Sequence, residues 1–372
     1  MSASTAGRLG WTVITPPVAA IVLAISWGTH PGPIASSLIG VALVGAVLAA
    51  VHHAEVVAHK VGEPFGSLLL AVAVTVIEVG LIVTLMVSGS GETATLARDT
   101  VFAAVMITVN GIVGISLVVG ALRHHLAVFN SEGTGSALAT VISLAGLTLV
   151  VPTFTTSEPG PIFTGQQLAF AAVASLALYG AFVFTQTVRH RDFFLPVGKG
   201  APPAGTDPGD LDDDGHADPP TAREAWISLG LLGLALVTVV GLAKVESYAI
   251  EDAVNALGFP HATVGVVIAL LVLAPESIAA VRAARRDRVQ ISLNLAYGSA
   301  MASIGLTIPA IAIASIWLDG PLELGLAPLQ LALLLLTSVV AVLTVVPGRA
   351  KPLNGMVHLV LLAAFLFMTV AP

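Results

Sequence analysis

Long apolar stretches alternate with short polar breaks along most of the chain. Eleven stretches hold about 20 residues each, the length that a helix needs to cross roughly 30 Å of hydrocarbon at 1.5 Å per residue. The pattern therefore predicts an all-α polytopic membrane protein with about 11 transmembrane helices. The predicted spans are Trp11–Trp27, Ile34–Val57, Phe65–Ser88, Thr100–Leu122, Gly135–Phe154, Gln166–Thr187, Glu224–Ala243, Ala262–Val281, Gln290–Leu318, Pro328–Val346 and Leu353–Ala371.

The composition narrows the class of protein further. Of the 372 residues, 56% are hydrophobic and 10% are charged, whereas a soluble domain carries about a quarter charged residues. The net charge of −7 and the lack of a basic stripe argue against nucleic-acid binding. The chain has no cysteine, which excludes thiolate nucleophiles and sulfur-ligated zinc. No nucleophile–base set or nucleotide loop is recognisable, so we expect neither an enzyme nor a bound cofactor.

The positions of lysine and arginine predict the orientation in the membrane. With eleven spans, 13 of the 15 basic residues fall in loops on the N-terminal side, and only Arg98 and Lys244 fall on the other. Cytoplasmic loops carry an excess of these residues. We therefore expect a multi-pass protein of the cell (inner) membrane, with a cytoplasmic N-terminus and an outside C-terminus.

One long polar segment, residues 189–223, divides the helices into six and five. It is rich in Asp, Pro and Gly and too polar to bury a core, which indicates a cytoplasmic linker. The run Asp210–Gly215 fits the opening of a calcium-binding loop, but position twelve of that pattern is Thr221 instead of Glu. A calcium-sensing loop and a merely solvated acidic tether are both compatible with this segment.

Two parts of the chain repeat the same pattern. Each opens with Glu, six residues, Gly, any residue and Pro, at Glu55–Pro64 and at Glu251–Pro260. An apolar helix with a single acidic residue follows in each case, carrying Glu78 in the first copy and Glu276 in the second. Three matching features in the same order, counting the asparagines described next, indicate an internal repeat.

The helix after each of these glutamates carries an asparagine among small residues, Asn110 in the first copy and Asn294 in the second. Each copy has five helices, an odd number, so the second copy crosses the membrane in the opposite sense. The predicted organisation is an extra N-terminal helix in residues 1–30, a first five-helix repeat in 34–188 and an inverted second repeat in 224–372. Many secondary transporters share this architecture, with a substrate site near the bilayer midplane.

A carboxylate at the membrane centre costs on the order of 3 kcal/mol or more, so Glu78 and Glu276 are functional candidates. The alternative is that protonated glutamates only hydrogen-bond neighbouring helices. Two neighbouring carboxyl groups without a basic partner are stable either when both are ionised around a divalent cation or when both are neutralised by protons. Because these two states exclude one another, alternating access would make the pair an antiporter of a cation for protons.

The absence of sulfur ligands favours a hard cation, and calcium accepts irregular shells of six to eight oxygens. Thr75, Asn110 and Asn294 are candidate neutral oxygen donors to this cation, although each is equally compatible with a role as interhelical glue. The repeat places Glu55 at the cytoplasmic mouth of the pathway and Glu251 at the outer mouth. Beside Glu55, His52 belongs to a group of histidines that either relays protons or is simply interfacial.

Five segments resemble the two alpha repeats of the cation/calcium exchanger superfamily. These are Gly62–Gly66 and Ala73–Val79 in the first half, and Pro275–Ser277, Ala283–Ala296 and Ser299–Pro309 in the second. Within the superfamily, the sequence is most similar to the calcium/proton antiporter (CAX) branch, and there to bacterial proteins of the ChaA type. The specific resemblance covers the two repeat regions, and the other helices match in number and hydropathy.

This resemblance implies exchange by alternating access, with the transported cation bound by Glu78 and Glu276 and acidic residues at the vestibules. Sodium/calcium exchangers place small hydroxyl residues where this chain has Met106 and Gln290, which argues for protons as counter-ions. ChaA-type proteins also resemble monovalent cation/proton antiporters, so sodium and potassium remain alternative substrates. The expected partners are calcium ions, protons and the lipid bilayer. A channel or a membrane scaffold is the non-transport alternative.

Overall fold

The computed structural model describes residues 10–62, 65–88, 93–196, 220–318 and 320–371. Across these ranges the chain forms eleven apolar helices, of which ten are long enough to cross a membrane and the first has 16 residues. The all-α polytopic prediction is confirmed. The helices are α1 Trp11–Ser26, α2 Pro33–Val61, α3 Phe65–Ser88, α4 Leu96–His124, α5 Ser131–Phe154, α6 Gly165–Arg189, α7 Ala222–Ala256, α8 Ala262–Arg285, α9 Val289–Ala314, α10 Pro328–Val345 and α11 Pro352–Val370.

Two short strands and a helical turn complete the regular structure of the described ranges. Strand β1, Ala127–Val128, pairs antiparallel with β2, Arg349–Ala350, so the loops after α4 and before α11 meet. A 3₁₀ turn, Arg191–Phe194, follows α6. Most of the central linker, including the Asp210–Gly215 run, lies outside the described residues, so its role stays open.

Helix α7 is longer than the apolar pattern predicts. The prediction ended this helix at Ala243, but the structure continues it to Ala256, a total of 35 residues. The charge of Lys244 does not end the helix, because its ammonium group lies 5.2 Å from the centre of the Trp27 ring. A cation over an indole face is stabilised without leaving the helix. The helix therefore carries Glu246 and Glu251, which hydropathy alone assigns to a loop.

Several helices are interrupted near their middles or ends. Part of α4, Ile107–Ile112, is π-helical, and similar turns occur in α5 and at the end of α6. Helix α9 breaks at Leu306, three residues before Pro309. Proline lacks the N–H that would bond the carbonyl of Gly305 and its ring crowds that carbonyl, which explains the break. Single π turns inside α-helices are frequent at functional sites.

The described helices form two compact units, and the first contains α1, α2, α3 and α7 up to Asp252. At one end of this unit, the buried His53 ring hydrogen-bonds the Thr12 carbonyl at 3.0 Å and the Ser228 hydroxyl at 3.2 Å. At the other end, Lys244 of α7 lies over Trp27, directly after α1. Within this unit, α1 and α7 therefore run in the same direction and α2 runs opposite to them.

The second unit contains α4 to α6 and α8 to α11. Its central element is α4, because 83% of the most apolar part of this helix is buried. Helices α4 and α8 run parallel and in close contact. A Cβ at Gly265 of α8 would lie 2.8 Å from the main-chain nitrogen of Thr100, and a Cβ at Gly120 of α4 would lie 3.9 Å from the carbonyl of Ala284. Both units combine helices from the two sequence halves.

Large apolar side chains cover much of the outer surface. Ile25, Ile34 and Trp317 are at least 75% exposed, on helices or shortly after them. Such side chains require an apolar surrounding, which the bilayer supplies. Together with the ten long apolar helices, this surface identifies a multi-pass membrane protein.

Candidate cation-binding site

Glu78 lies in the middle of α3 and is 2% exposed. Thr75, one turn earlier, is 7% exposed and shares its helix face. Both belong to the first unit, where α7 packs closely against α3: a Cβ at Gly80 would lie 2.6 Å from Cγ2 of Val240. Gly80 lies two residues after Glu78 and allows α3 and α7 to come into close contact there. Glu78 is therefore enclosed by protein.

Glu276 belongs to the second unit and is half-buried on α8. It directly follows Pro275, which cannot donate a main-chain hydrogen bond to the Leu271 carbonyl. On the other side of Glu276, the Ser277 hydroxyl donates to the Leu273 carbonyl at 2.7 Å. The glutamate therefore lies where the regular hydrogen bonding of α8 is interrupted, a local structure that transporters use to expose backbone oxygens to ions.

Asn110 lies at the same height as Glu276 in the second unit. The parallel helices α4 and α8 meet at Thr100 and Gly265. Asn110 is ten residues beyond Thr100 and Glu276 is eleven residues beyond Gly265. A difference of one residue corresponds to about 1.5 Å along a helix. The structure thus brings the first-repeat asparagine and the second-repeat glutamate to one level.

The side chain of Asn110 is fully buried and uses both ends of its amide. Its nitrogen donates to the Thr337 hydroxyl of α10 at 2.9 Å, and its oxygen lies 3.0 Å from Nδ1 of His358 on α11. Nε2 of His358 lies 3.2 Å from the Thr344 hydroxyl. These contacts tie the π-helical turn of α4 to two helices of the second repeat.

Asn294 is held in a corresponding way, with different partners. Its oxygen accepts from Nε2 of Gln290 at 2.8 Å, and its nitrogen donates to the Phe194 carbonyl at 2.7 Å. Gln290 is anchored in turn, because its side-chain oxygen accepts from the Asn130 main chain at 2.7 Å. Both predicted asparagine ligands therefore take part in protein hydrogen bonds, and their role toward a cation stays a prediction.

The predicted vestibule residues lie toward the two ends of the first unit. Glu55 and His52 are exposed near the end of α2, beside the buried His53, whereas Glu251 is half-buried near the other end of the unit, on α7. Of the histidines near this end of α2, His53 is buried, whereas His52 and His59 are exposed. The predicted roles of Glu55, His52 and Glu251 in guiding cations and protons stay predictions.

The sequence analysis did not single out several buried polar residues, among them His358 and Glu246. His358 is fully buried. The sequence feature that could have indicated it is a glycine and a histidine three residues apart, Gly355 and His358, which share one helix face. Glu246 is 6% exposed, and its Oε1 has no hydrogen-bond partner among the described residues. It escaped notice because the prediction ended its helix too early. No cluster of three His, Asp or Glu side chains in the described ranges is placed to hold a metal ion.

Ten long apolar helices, a buried carboxyl group in one unit and an interrupted helix with a second glutamate in the other are typical of membrane ion transporters. The chain belongs to the sodium/calcium exchanger protein family, whose profile matches residues 33–188 and 227–371. It is therefore a cation transporter and not an enzyme, and the predicted superfamily is confirmed.

Individual relatives match over nearly the whole chain. Protein y4hA of Sinorhizobium fredii is 46% identical over 334 residues, 89% of this chain and 87% of that protein. The sodium-potassium/proton antiporter ChaA of Escherichia coli is 32% identical over 354 residues, 94% of this chain and 93% of that protein. Native YfkE has a TM-score of 0.71 at 14% identity, covering 97% of this chain and 99% of that chain. The H+/Ca2+ exchanger CAX has a TM-score of 0.66 at 16% identity, covering 96% and 87%. At such identities, these two structures establish the fold.

Proposed function

We propose that this protein exchanges cytoplasmic calcium for external protons by alternating access, with Glu78 and Glu276 binding either the cation or protons. The observation that carries the proposal is the pair of glutamates at matching positions of an inverted repeat, one of them 2% exposed inside a membrane protein. An ionised carboxylate at that depth needs a cation, and a neutral one needs a proton. Exchange follows because the same oxygens cannot hold both.

Neutral oxygens complete the proposed binding site. Thr75 shares a helix face with Glu78, and Asn110 lies level with Glu276 along two parallel helices, which supports their assignment as neutral ligands. Pro275 cannot supply the usual helical donor to the Leu271 carbonyl, which makes this main-chain oxygen a further candidate ligand. An oxygen-only set of this kind suits calcium, which accepts six to eight irregularly arranged ligands.

The proposed direction of transport follows from the orientation. Basic residues are concentrated on one side of the spans, which supports a cytoplasmic N-terminus in the inner membrane. Glu55 then lies at the cytoplasmic entrance and Glu251 at the outer one. A proton gradient directed inward would drive calcium out of the cell.

The test is calcium-dependent dissipation of an imposed pH gradient in proteoliposomes. Wild type is compared with Glu78→Gln, with Glu276→Gln and with the control Glu158→Gln, which makes the same chemical change at an exposed loop position. We expect proton movement driven by calcium in wild type and in the control, and none in the other two variants. Activity retained by either of these two variants would overturn the proposed pair.

Sodium or potassium exchange for protons is the second candidate function. It is favoured by the 32% identity with a relative that bears the name sodium-potassium/proton antiporter. The same vesicles loaded with either monovalent ion decide between the substrates. A response to sodium or potassium without a response to calcium would replace calcium as the substrate. A lack of response to all three would leave the proposed exchange without support.

A further inference from the structure

We propose that His358 is a positioning residue for cation binding, which fixes the amide of Asn110 and the π-helical turn that carries it. The inference rests on the proposed function, since it assigns a role to Asn110 in the cation site. Asn110 lies level with Glu276. A change in the orientation of the Asn110 side chain therefore affects the proposed site at the level of the Glu276 carboxyl group. His358 itself touches Asn110 and not the cation in this assignment.

Two glycines bring the imidazole to this place. A Cβ at Gly355 of α11 would lie 2.5 Å from the carbonyl oxygen of Gly114, and a Cβ at Gly114 of α4 would lie 3.0 Å from Cβ of His358. Helices in membranes approach most closely where both carry small residues. Gly355 and His358, three residues apart, share a face of α11, and Asn110 and Gly114, four residues apart, share a face of α4. The close crossing thus presents the histidine to the asparagine.

The hydrogen bonds define which atom of the ring does the positioning. The Asn110 nitrogen donates to Thr337, so its amide oxygen is the atom that faces His358, and Nδ1 must carry the hydrogen that this oxygen accepts. Nε2 is then the acceptor for the Thr344 hydroxyl. Nδ1 therefore orients the Asn110 amide, and Nε2 holds the imidazole ring in place through Thr344.

The second repeat supports this interpretation by its own arrangement. Asn294 is held by the carbonyl of Phe194, which follows α6, the fifth helix of the first repeat. Asn110 is held by His358 of α11, the fifth helix of the second repeat. In both cases the asparagine of one repeat is oriented by the other repeat, from its fifth helix for Asn110 and from the turn after its fifth helix for Asn294. Different chemical groups thus hold the two asparagines from the opposite repeat. This recurrence indicates that the site requires an oriented asparagine, and that the contact with His358 is not incidental.

The test compares three substitutions that differ in which ring nitrogen they replace. An asparagine places its amide nitrogen near the position of Nδ1, whereas a glutamine places it near Nε2. We expect His358→Asn to keep the KM for the transported cation close to wild type, because a donor still reaches Asn110. We expect His358→Gln and His358→Leu to raise KM about tenfold with a smaller change in kcat, the usual effect of removing the partner of a ligand.

A double-mutant cycle shows whether the effect passes through Asn110. In an Asn110→Ala background, His358→Leu is expected to add no further increase in KM, because the group that it positions is gone. Thr344→Val removes only the anchor at Nε2 and is the control, with an expected change in KM below threefold. All variants are first checked for a single symmetrical peak in size-exclusion chromatography.

Two outcomes would overturn the inference. One is an unchanged KM in folded His358→Leu, and the other is an equal increase in KM with and without Asn110. A failure of the proposed function is recognised separately, because it appears as exchange that survives Glu78→Gln or as a lack of exchange in wild type. In the first of these outcomes, an equal loss of thermal stability in His358→Asn and His358→Leu would identify the histidine as a structural residue only.

Discussion

Replacing Gly355 by alanine should separate α11 from α4 and disturb the Asn110 amide at the same time. The new Cβ would lie 2.5 Å from the Gly114 carbonyl oxygen and 2.8 Å from the main-chain nitrogen of Val118, whereas ordinary contacts begin at 3.4 Å. Main-chain atoms cannot rotate away, so the helices must move apart by about 0.9 Å. The bond of 3.0 Å between His358 and Asn110 would then lengthen to about 4 Å, beyond hydrogen-bonding distance.

The expected cost combines three contributions. Overpacking of this kind costs about 1–3 kcal/mol, and a lost interhelical hydrogen bond in a membrane protein costs about 0.6 kcal/mol. Alanine recovers up to about 1 kcal/mol through its higher helix propensity. The net expectation for Gly355→Ala is a loss of roughly 1–3 kcal/mol in the free energy of unfolding, together with a higher KM for the cation.

Thermal unfolding of the purified protein in detergent measures this loss, with Gly180→Ala of α6 as the matched control. A Cβ at Gly180 meets no other atom within 4 Å, so only the gain in helix propensity applies there. The midpoint of unfolding should fall for Gly355→Ala and stay level or rise for Gly180→Ala. Equal midpoints for the two variants, with an unchanged KM, would refute the close crossing of α4 and α11.

Three further substitutions test other buried polar contacts. Asp99 is 4% exposed and accepts hydrogen bonds from Arg98 and Gln330. Asp99→Asn should therefore lower the free energy of unfolding by about 1–3 kcal/mol in denaturation experiments. An unchanged free energy of unfolding would contradict this. The Ser292 hydroxyl donates a hydrogen bond to the Ser116 hydroxyl and so joins α9 to α4. A double-mutant cycle to alanine should give a coupling free energy of about 0.6 kcal/mol for this pair. A coupling free energy of zero would count against the hydrogen bond. Glu246→Leu removes a buried carboxyl oxygen without a described partner and should raise the thermal midpoint; a lower midpoint would show that the carboxyl group is stabilising.

The number and type of helices could be predicted because the bilayer sets a minimum length of apolar sequence. The same reasoning located the two glutamates, since an acidic residue stands out in an apolar run. It failed at the end of α7, where the hydropathy falls at Lys244 but the helix continues. The missing information was the Trp27 ring, which is more than 200 residues away in sequence and stabilises the charge.

The partners of the two asparagines were beyond prediction for a related reason. Asn110 finds Thr337 and His358 more than 200 residues later in the chain, through a helix crossing that depends on two glycines. A glycine in an apolar run does not reveal which helix it faces. The π-helical turn at Asn110 has no signal in hydropathy either, because its residues continue the apolar run of α4.

The matching positions of the predicted repeat do not give matching chemistry. Asn110 and Asn294 occupy equivalent places in the sequence, but the oxygen of the first faces an imidazole from another helix and the oxygen of the second faces an amide from its own helix, one turn away. The difference begins at the residue four positions earlier: Met106 leaves Asn110 without a strong local donor, whereas Gln290 supplies one to Asn294. Because Met106 cannot do for the first repeat what Gln290 does for the second, a donor from outside α4 is needed, and His358 provides it.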